Sequence, residues 1–139
     1  MINMTKEECK YVFDRVYQQF SKDIWIHPGD CGKDNRAYSY VLNKEIILPN
    51  RSFTSPSEWD ILVFLHEIGH VKTNKADMRV FAKEYYATKW ASIAARQIGL
   101  EVKPEWQITF QEYIWDKRQE CINRKGKNVP SKEALLIKW

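Results

Sequence analysis

Two histidines and a glutamate, His66, Glu67 and His70, stand at a spacing that could do metal chemistry. They form an H-E-x-x-H pattern, and residues four apart lie on one face of an α-helix, so both imidazoles can reach one metal ion. A catalytic zinc keeps one position open for water, and a neighbouring carboxylate can take a proton from that water as it attacks a carbonyl. The pattern predicts a zinc site with Glu67 as the general base. The alternative is that both histidines are satisfied core residues.

The third protein ligand of such a zinc is left open by the residues alone. A histidine six residues after His70 would complete the metzincin pattern, but Ala76 stands there. Glu84 and Asp77 are the nearby carboxylates beyond the motif helix, and His27 is the remaining histidine. Glu84 also begins a stripe of small residues that would let two helices pack closely, as a short carboxylate requires: Ala87, Ala91, Ala94 and Ala95.

The motif requires a helix, and the run 59–71 has the apolar spacing of a buried one. Ser55 is the expected cap, with Pro56 at the first helical position and Glu58 closing a capping box. We therefore expect this helix to run from Pro56 to about Thr73. A second helix is expected at 77–98, ending at Gly99, so that the two metal helices occupy 56–98.

The remaining patterns predict an α+β fold, mainly helical, with a small three-stranded antiparallel or mixed sheet before the H-E-x-x-H helix. A capping box from Thr5 to Glu8 begins a helix over 5–21. Short β-type runs at 24–26, 37–42 and 45–48 place the sheet within 24–49, and the two residues between the last two runs indicate a tight hairpin. Helices at 104–124 and from Ser131 complete a C-terminal part, 104–138. A chain of 139 residues predicts one domain over 1–139.

The two metal helices together resemble a known family. H-E-I-G-H at 66–70 followed by E-Y-Y-A-T-K-W-A at 84–91 is similar to the ImmA/IrrE group of zinc metallopeptidases, which pair H-E-x-x-H with a later E-x-x-A-x-x-F-A type segment. The resemblance covers roughly residues 38–98, including a strand that ends at Leu48. It implies a zincin-like domain with a gluzincin-type third ligand: His66, His70 and Glu84 bind Zn²⁺, and Glu67 is the catalytic base.

The function that the resemblance implies is a zinc-dependent endopeptidase that hydrolyses peptide bonds of an intracellular protein. Members of this group are tied to phages and mobile elements, so the implied substrate is a regulator such as a repressor. The expected partner is therefore a protein or peptide substrate, with a DNA-binding regulator as one candidate. A substrate strand could pair with the edge of the small sheet. The oligomeric state and the residue that stabilises the oxyanion stay open.

Three cysteines and a histidine turn have simpler interpretations. Cys9, Cys31 and Cys121 lack C-x-x-C spacing and indicate reduced thiols in a cytoplasmic protein. No segment has the pattern of a signal peptide or a membrane span, so no membrane partner is expected. His27 begins a Pro-Gly turn over 27–32, where we expect a loop histidine with a local hydrogen bond or, alternatively, a residue at the mouth of the site.

The C-terminal segment raises an alternative function of another class. Residues 116–139 carry seven basic and three acidic side chains, with Trp115 and Trp139 beside them. Such residues could bind nucleic acid through phosphate contacts and stacking, although a solvated helix face explains them as well. The alternative is a catalytically inactive zincin-like fold that acts as a nucleic-acid- or protein-binding module.

Overall fold

The structure is a computed structural model that describes residues 3–29 and 36–139. Within these residues the chain is α+β and mainly helical, with a small three-stranded mixed sheet before the H-E-x-x-H helix, which confirms the predicted fold class. The elements in chain order are α1 (Lys6–Phe20), β1 (Trp25–Pro28), β2 (Tyr38–Tyr40), β3 (Glu45–Leu48), α2 (Asn50–Thr54), α3 (Glu58–Thr73), α4 (Val80–Gln97) and α5 (Pro104–Asn123), with 3-10 turns at Val41–Asn43 and Glu133–Leu135.

The sheet has the strand order β1-β3-β2, with β1 parallel and β2 antiparallel to β3. Alternate residues of a strand point to opposite faces. Ile26, Ile46 and Leu48 are buried on the inner face, whereas Trp25 and Tyr40 are exposed on the other. The strand order leaves β2 at an edge of the sheet.

Helix α3 lies in the centre of the core and is apolar over most of its circumference, as expected of a buried helix. Five of its apolar side chains are almost completely buried: Ile61, Leu62, Phe64, Leu65 and Ile68. Phe13 and Val16 of α1 pack into the same cluster. The helix that carries the histidines is therefore held from several sides.

The start of α3 differs from the prediction, which placed Ser55 as its cap and Pro56 as its first residue. Ser57 is the cap: its Oγ accepts from the Asp60 amide at 3.1 Å, and Asp60 Oδ2 accepts from the Ser57 amide at 2.9 Å. Glu58 instead accepts from the Met4 amide at 2.9 Å. Ser55 ends α2, a helix that was not predicted, by donating its amide to the Arg51 carbonyl.

The hairpin between β2 and β3 also differs from the prediction. Tyr40 pairs with Glu45, so four residues connect the strands rather than two. Val41–Asn43 form a 3-10 turn, and Lys44 takes the left-handed conformation at φ 50°. The 3-10 turn replaces the end of the predicted strand.

Helices α3 and α4 approach each other closely where Gly69 faces Ala87. A Cβ on Gly69 would lie 2.5 Å from the Ala87 carbonyl oxygen, so only glycine fits without moving a helix. Ala87, Ala91 and Ala95 are all at least 99% buried, and this confirms that the small-residue face of α4 is a packing face. The helix begins at Val80, three residues later than predicted.

The structure also bears on the thiols and the polarity of the helices. Cys9 and Cys121 are free, as predicted. Cys31 and its neighbours Asp30 and Gly32 in the predicted turn lie outside the described residues. Across residues 3–29 and 36–139, none of the helices combines the length and the apolar character that crossing a membrane requires.

Candidate metal centre

His66, Glu67 and His70 form a group on α3 that could hold a metal ion. One potential ligand atom from each lies within 4.8 Å of those from the other two. The imidazole rings of His66 and His70 have centroids 4.6 Å apart and are inclined by 80°. The helical spacing therefore brings both rings to one place, as the sequence predicts.

Glu84 of α4 reaches the same place from the opposite helix. Its Oε1 lies 3.4 Å from His66 Nε2, and its Oε2 lies 3.1 Å from His70 Nε2. Two ligand atoms about 2.0–2.1 Å from one tetrahedral zinc are about 3.3 Å apart. The observed separations match this value, so the Nε2 atoms and the Glu84 carboxylate fit the ligand set of one ion.

His66 Nε2 gives an independent test of whether these residues suit a metal. It is buried, and apart from the Glu84 carboxylate oxygen 3.4 Å away it has no polar partner among the described residues. A buried polar atom without a partner costs free energy, and buried polar groups are therefore almost always satisfied. A metal ion bound at Nε2 would satisfy this atom, which favours the metal interpretation over a satisfied core histidine.

The charges of the group are strongly coupled. Burial acts to raise the pKa of Glu84, but the imidazoles of His66 and His70 outweigh it and lower that pKa to about 2. Burial acts to lower the pKa of His70, but the Glu84 carboxylate outweighs it, and the pKa is raised above 6.5. Glu84 is therefore ionised at neutral pH, as a metal-binding carboxylate must be.

Glu67 occupies a different environment from Glu84, although both lie beside His66 and His70. Its Oε2 accepts a hydrogen bond from Ser39 Oγ of β2 at 3.3 Å. Burial raises the pKa of Glu67 above its usual value, and the two imidazoles only partly oppose this. A carboxylate whose pKa is raised toward neutrality is a stronger proton acceptor, which suits a general base.

Two further residues support the imidazoles. Asn74 Oδ1 lies 2.6 Å from His70 Nδ1. The ring of Phe110, on α5, has its centroid 5.0 Å from that of His66 and 5.6 Å from that of Trp59. Phe110 lies in the helix predicted at 104–124, but nothing in the sequence pattern placed it beside the histidines. The pattern also missed Asn74, although its position four residues after His70, directly after the predicted end of the helix at Thr73, could have indicated it.

A cleft of about 900 Å³ opens onto this group. Its walls come from β2, α3, α4 and α5, and they combine apolar and charged side chains. Residues of the cleft wall include Tyr38, Ser39, Trp59, Val63, Phe110 and Glu112. This volume is in the range of ligand-binding clefts, so the group is accessible to a substrate.

The other two proposed third ligands do not join the group. Asp77 is exposed in the turn that precedes α4. His27 lies in β1 rather than in the predicted loop, with its Nε2 2.6 Å from Glu45 Oε2 and its Nδ1 3.2 Å from the Pro28 carbonyl oxygen. The expected local hydrogen bond of His27 is present, and both ring nitrogens already have partners.

Comparisons with known proteins found no match for this chain among protein-family models, curated proteins or solved structures.

Proposed function

We propose that the chain is a zinc-dependent endopeptidase whose metal is held by His66, His70 and Glu84, with Glu67 as the catalytic base. The observation that carries this proposal is that the two carboxylates lie in different environments. Glu84 contacts both imidazoles and is ionised, whereas Glu67 is buried beside them and is held by Ser39. One carboxylate thus has the environment of a ligand and the other that of a base.

A zinc ion held by His66, His70 and Glu84 would supply Lewis acidity, which would activate water and polarise the carbonyl of a peptide bond. Glu67 accepts the proton of the attacking water and passes it to the departing amine. Ser39 holds one carboxylate oxygen of Glu67, so the position of the base is set by β2 as well as by α3. Burial of the group keeps bulk water away and strengthens each of these interactions.

An extended peptide suits the site because β2 is an edge strand and contacts the proposed base through Ser39. A peptide that pairs with an edge strand is held through main-chain hydrogen bonds, so its side chains remain free for selection by flanking pockets. Trp59, Val63 and Phe110 provide an apolar wall for such selection. The resemblance of 66–70 and 84–91 to the ImmA/IrrE group extends the proposal to an intracellular regulatory protein as the substrate.

The contacts of three basic C-terminal residues weaken the alternative of a nucleic-acid-binding module. The Arg118 guanidinium donates to the Pro130 carbonyl at 2.7 Å. Lys117 and Lys132 lie over the rings of Tyr113 and Trp115, at 5.1 and 5.2 Å from the ring centroids. Three of the seven basic residues of the segment thus make contacts within the chain, which leaves fewer of them for a phosphate-binding surface.

Zinc content and peptide cleavage in matched variants would test the proposed function. We expect one equivalent of zinc in the wild type and in Glu67→Gln, and its loss in Glu84→Gln, since an amide is a poor metal ligand. Glu67→Gln should also slow cleavage of a fluorescence-quenched peptide mixture by about 10²–10⁴-fold, the usual contribution of a general base. Glu112→Gln changes another glutamate of the cleft and serves as the control that keeps its zinc.

The reverse pattern would overturn the assignment. Loss of zinc in Glu67→Gln together with retention in Glu84→Gln would make His66, Glu67 and His70 the ligand set, and it would remove the base. Zinc binding with no cleavage of any peptide by the wild type would favour an inactive binding module.

A further inference from the structure

Asn74 is the residue that links the two helices of the proposed metal site. It follows α3 directly, as its C-cap, and stands four residues after His70. Its backbone has φ −77° and ψ 140°, an ordinary extended conformation that most residues can adopt. The backbone therefore does not require asparagine at this position, and the reason for it lies in the side chain.

The side-chain amide of Asn74 makes three contacts that fix its orientation. Nδ2 lies 3.1 Å from the Lys83 carbonyl oxygen and 3.2 Å from Thr73 Oγ1, and Oδ1 lies 2.6 Å from His70 Nδ1. A backbone carbonyl can only accept, so the amide nitrogen must face Lys83 and the amide oxygen must face His70. An amide oxygen also only accepts, so His70 Nδ1 must carry a hydrogen.

A hydrogen on Nδ1 determines what the other nitrogen of the ring can do. A neutral imidazole has one N–H and one lone pair, so with Nδ1 protonated the lone pair is on Nε2. His70 Nε2 is the atom that lies 3.1 Å from Glu84 Oε2. In the metal-free ring this carboxylate can accept a proton from Nε2, so Nε2 is the nitrogen that loses its proton when the ring becomes neutral. Its lone pair then faces the place where the proposed ligands converge, as metal-binding histidines require.

The second contact of Asn74 acts on the opposite helix. Lys83 lies in the first turn of α4 and immediately precedes Glu84. The bond from Asn74 Nδ2 to the Lys83 carbonyl therefore ties the end of the helix that carries His70 to the backbone next to Glu84. One side chain contacts His70 and also limits the motion of the carboxylate that faces it.

We propose that Asn74 is a positioning residue of the metal site, which holds His70 in the Nδ1–H form and fixes the Glu84 backbone against it. This proposal rests on the proposed function for the identity of the metal. It assigns Asn74 no contact with substrate or with reacting atoms. Replacing a residue that accepts a hydrogen bond from the non-ligating nitrogen of a histidine ligand typically changes metal affinity by about 10–100-fold.

Asn74→Leu and Asn74→Asp separate the contributions of Asn74. Leu removes every hydrogen bond of the side chain, and we expect the zinc Kd to rise by about 10–100-fold. Asp keeps an oxygen that accepts from His70 Nδ1 but cannot donate to Lys83, so it should keep an affinity between those of the wild type and Asn74→Leu. Ser57→Ala removes the cap at the other end of α3 and is the control for a general loss of helix stability.

The ring protons of His70 give a second readout that needs no metal. In the metal-free protein at alkaline pH, ¹⁵N NMR should place the proton on Nδ1 in the wild type, in Asn74→Asp and in Ser57→Ala. In Asn74→Leu the proton should move to Nε2, where Glu84 Oε2 accepts it. Circular dichroism would show that each variant remains folded.

Two results would overturn the role of Asn74: a zinc Kd for Asn74→Leu within about twofold of the wild type, well below the usual effect of such residues, or a Nδ1 proton that persists in Asn74→Leu. Failure of the proposed function is distinguishable, because a wild type that binds no zinc would defeat the metal assignment. In that case the NMR measurement alone decides whether Asn74 sets the ring of His70.

Discussion

Glu67 and Glu84 show how one group of residues can hold two carboxylates in different states. The pKa of Glu84 is lowered to about 2 because two imidazoles face it, and the pKa of Glu67 is raised because its burial is only partly offset by the same imidazoles. The difference depends on how many imidazole nitrogens each carboxylate contacts. It would allow a proposed ligand and a proposed proton acceptor to coexist beside the same two imidazoles.

The coupled charges predict that zinc affinity decreases as pH falls. Zinc must displace the proton of an imidazole, and the pKa of His70 is raised above 6.5, so this proton is held to higher pH than in a free histidine. We expect the apparent zinc Kd to increase by about tenfold per pH unit for each imidazole proton displaced, beginning above pH 6.5. Isothermal titration of the metal-free protein from about pH 8 to about pH 5 would measure this dependence, a window that brackets the imidazole range.

Glu84 should not contribute to that dependence, because its pKa is about 2 and its carboxylate stays ionised throughout the measured range. A zinc Kd that is constant between these pH values would contradict binding by the imidazoles.

The residues of the centre differ in how far the sequence could identify them. His66, Glu67 and His70 could be identified from the sequence alone, because helical spacing places residues four apart on one face and Glu67 is adjacent to His66. Glu84 required a correct expectation about how the next helix packs. The contact between Ser39 and Glu67 depends on the register of a short strand against α3, and no sequence pattern determines that register.

At the scale of helices, the approach of α3 to α4 determines whether Glu84 reaches the histidines. Gly69 faces the backbone of Ala87, three residues after Glu84 in α4. A larger residue at this contact would separate the helices at the level of the site. Gly69, the fourth residue of the H-E-x-x-H motif, therefore serves the metal centre through packing alone.

Gly69→Ala should destabilise the protein although alanine is the better helix former. The added Cβ would lie 2.5 Å from the Ala87 oxygen and 3.0 Å from its Cα, so a helix must move. We expect a net loss of about 1–2 kcal/mol in the free energy of unfolding, because overpacking of about 1–3 kcal/mol exceeds the helix-propensity gain of up to about 1 kcal/mol. Urea denaturation would measure it, and the zinc affinity should fall in parallel.

A double variant distinguishes the cause of that loss. The obstructing atoms belong to the backbone of Ala87, so adding Ala87→Gly should not restore stability to Gly69→Ala. Recovery in the double variant would show that the clash involves the Ala87 methyl group instead.

The ends of the helices were harder to predict from the sequence than the presence of the helices. Ser55 to Glu58 and Ser57 to Asp60 both fit the capping-box pattern, and the two overlap in the sequence. Glu58 bonds to the Met4 amide, and Ser55 is used to end α2, so tertiary contacts select the second box. The hairpin loop also differs from the prediction. Lys44 takes a left-handed conformation, which cannot be predicted from a lysine in the sequence.

At the scale of the molecule, the buried side chain of Gln111 on α5 binds the C-terminal segment. Gln111 Nε2 donates to the Leu135 carbonyl at 2.9 Å, and the Ile137 amide donates to Gln111 Oε1 at 2.8 Å. Leu135 and Ile137 are buried beside it. Trp139 then packs on Phe110, whose ring contacts His66. The end of the chain thus supports the wall of the cleft.

Gln111→Leu should therefore destabilise the protein more than an ordinary surface substitution would. It leaves a buried carbonyl and a buried amide without partners, which costs about 2–4 kcal/mol in the free energy of unfolding. Gln119→Leu is the matched control, because Gln119 is exposed on the same helix. Its side-chain amide donates a hydrogen bond to Asn123 Oδ1. Urea denaturation of both variants, with zinc content measured alongside, would compare them.

We expect one equivalent of zinc to remain in both glutamine variants, since neither side chain contacts the histidines or Glu84. Equal stability of the two variants would show that the C-terminal segment contributes little to the fold.

The three proposed ligands all lie within residues 66–84, on two consecutive antiparallel helices joined by a short turn. Closing such a short stretch of chain costs little entropy, and local contacts of this kind form early when a protein folds. We therefore expect the proposed ligand set to assemble before the sheet docks, and Ser39 to reach Glu67 only afterwards. In a refolding experiment, zinc binding would precede the appearance of peptidase activity. The delay between zinc binding and activity would measure the time that β2 takes to dock.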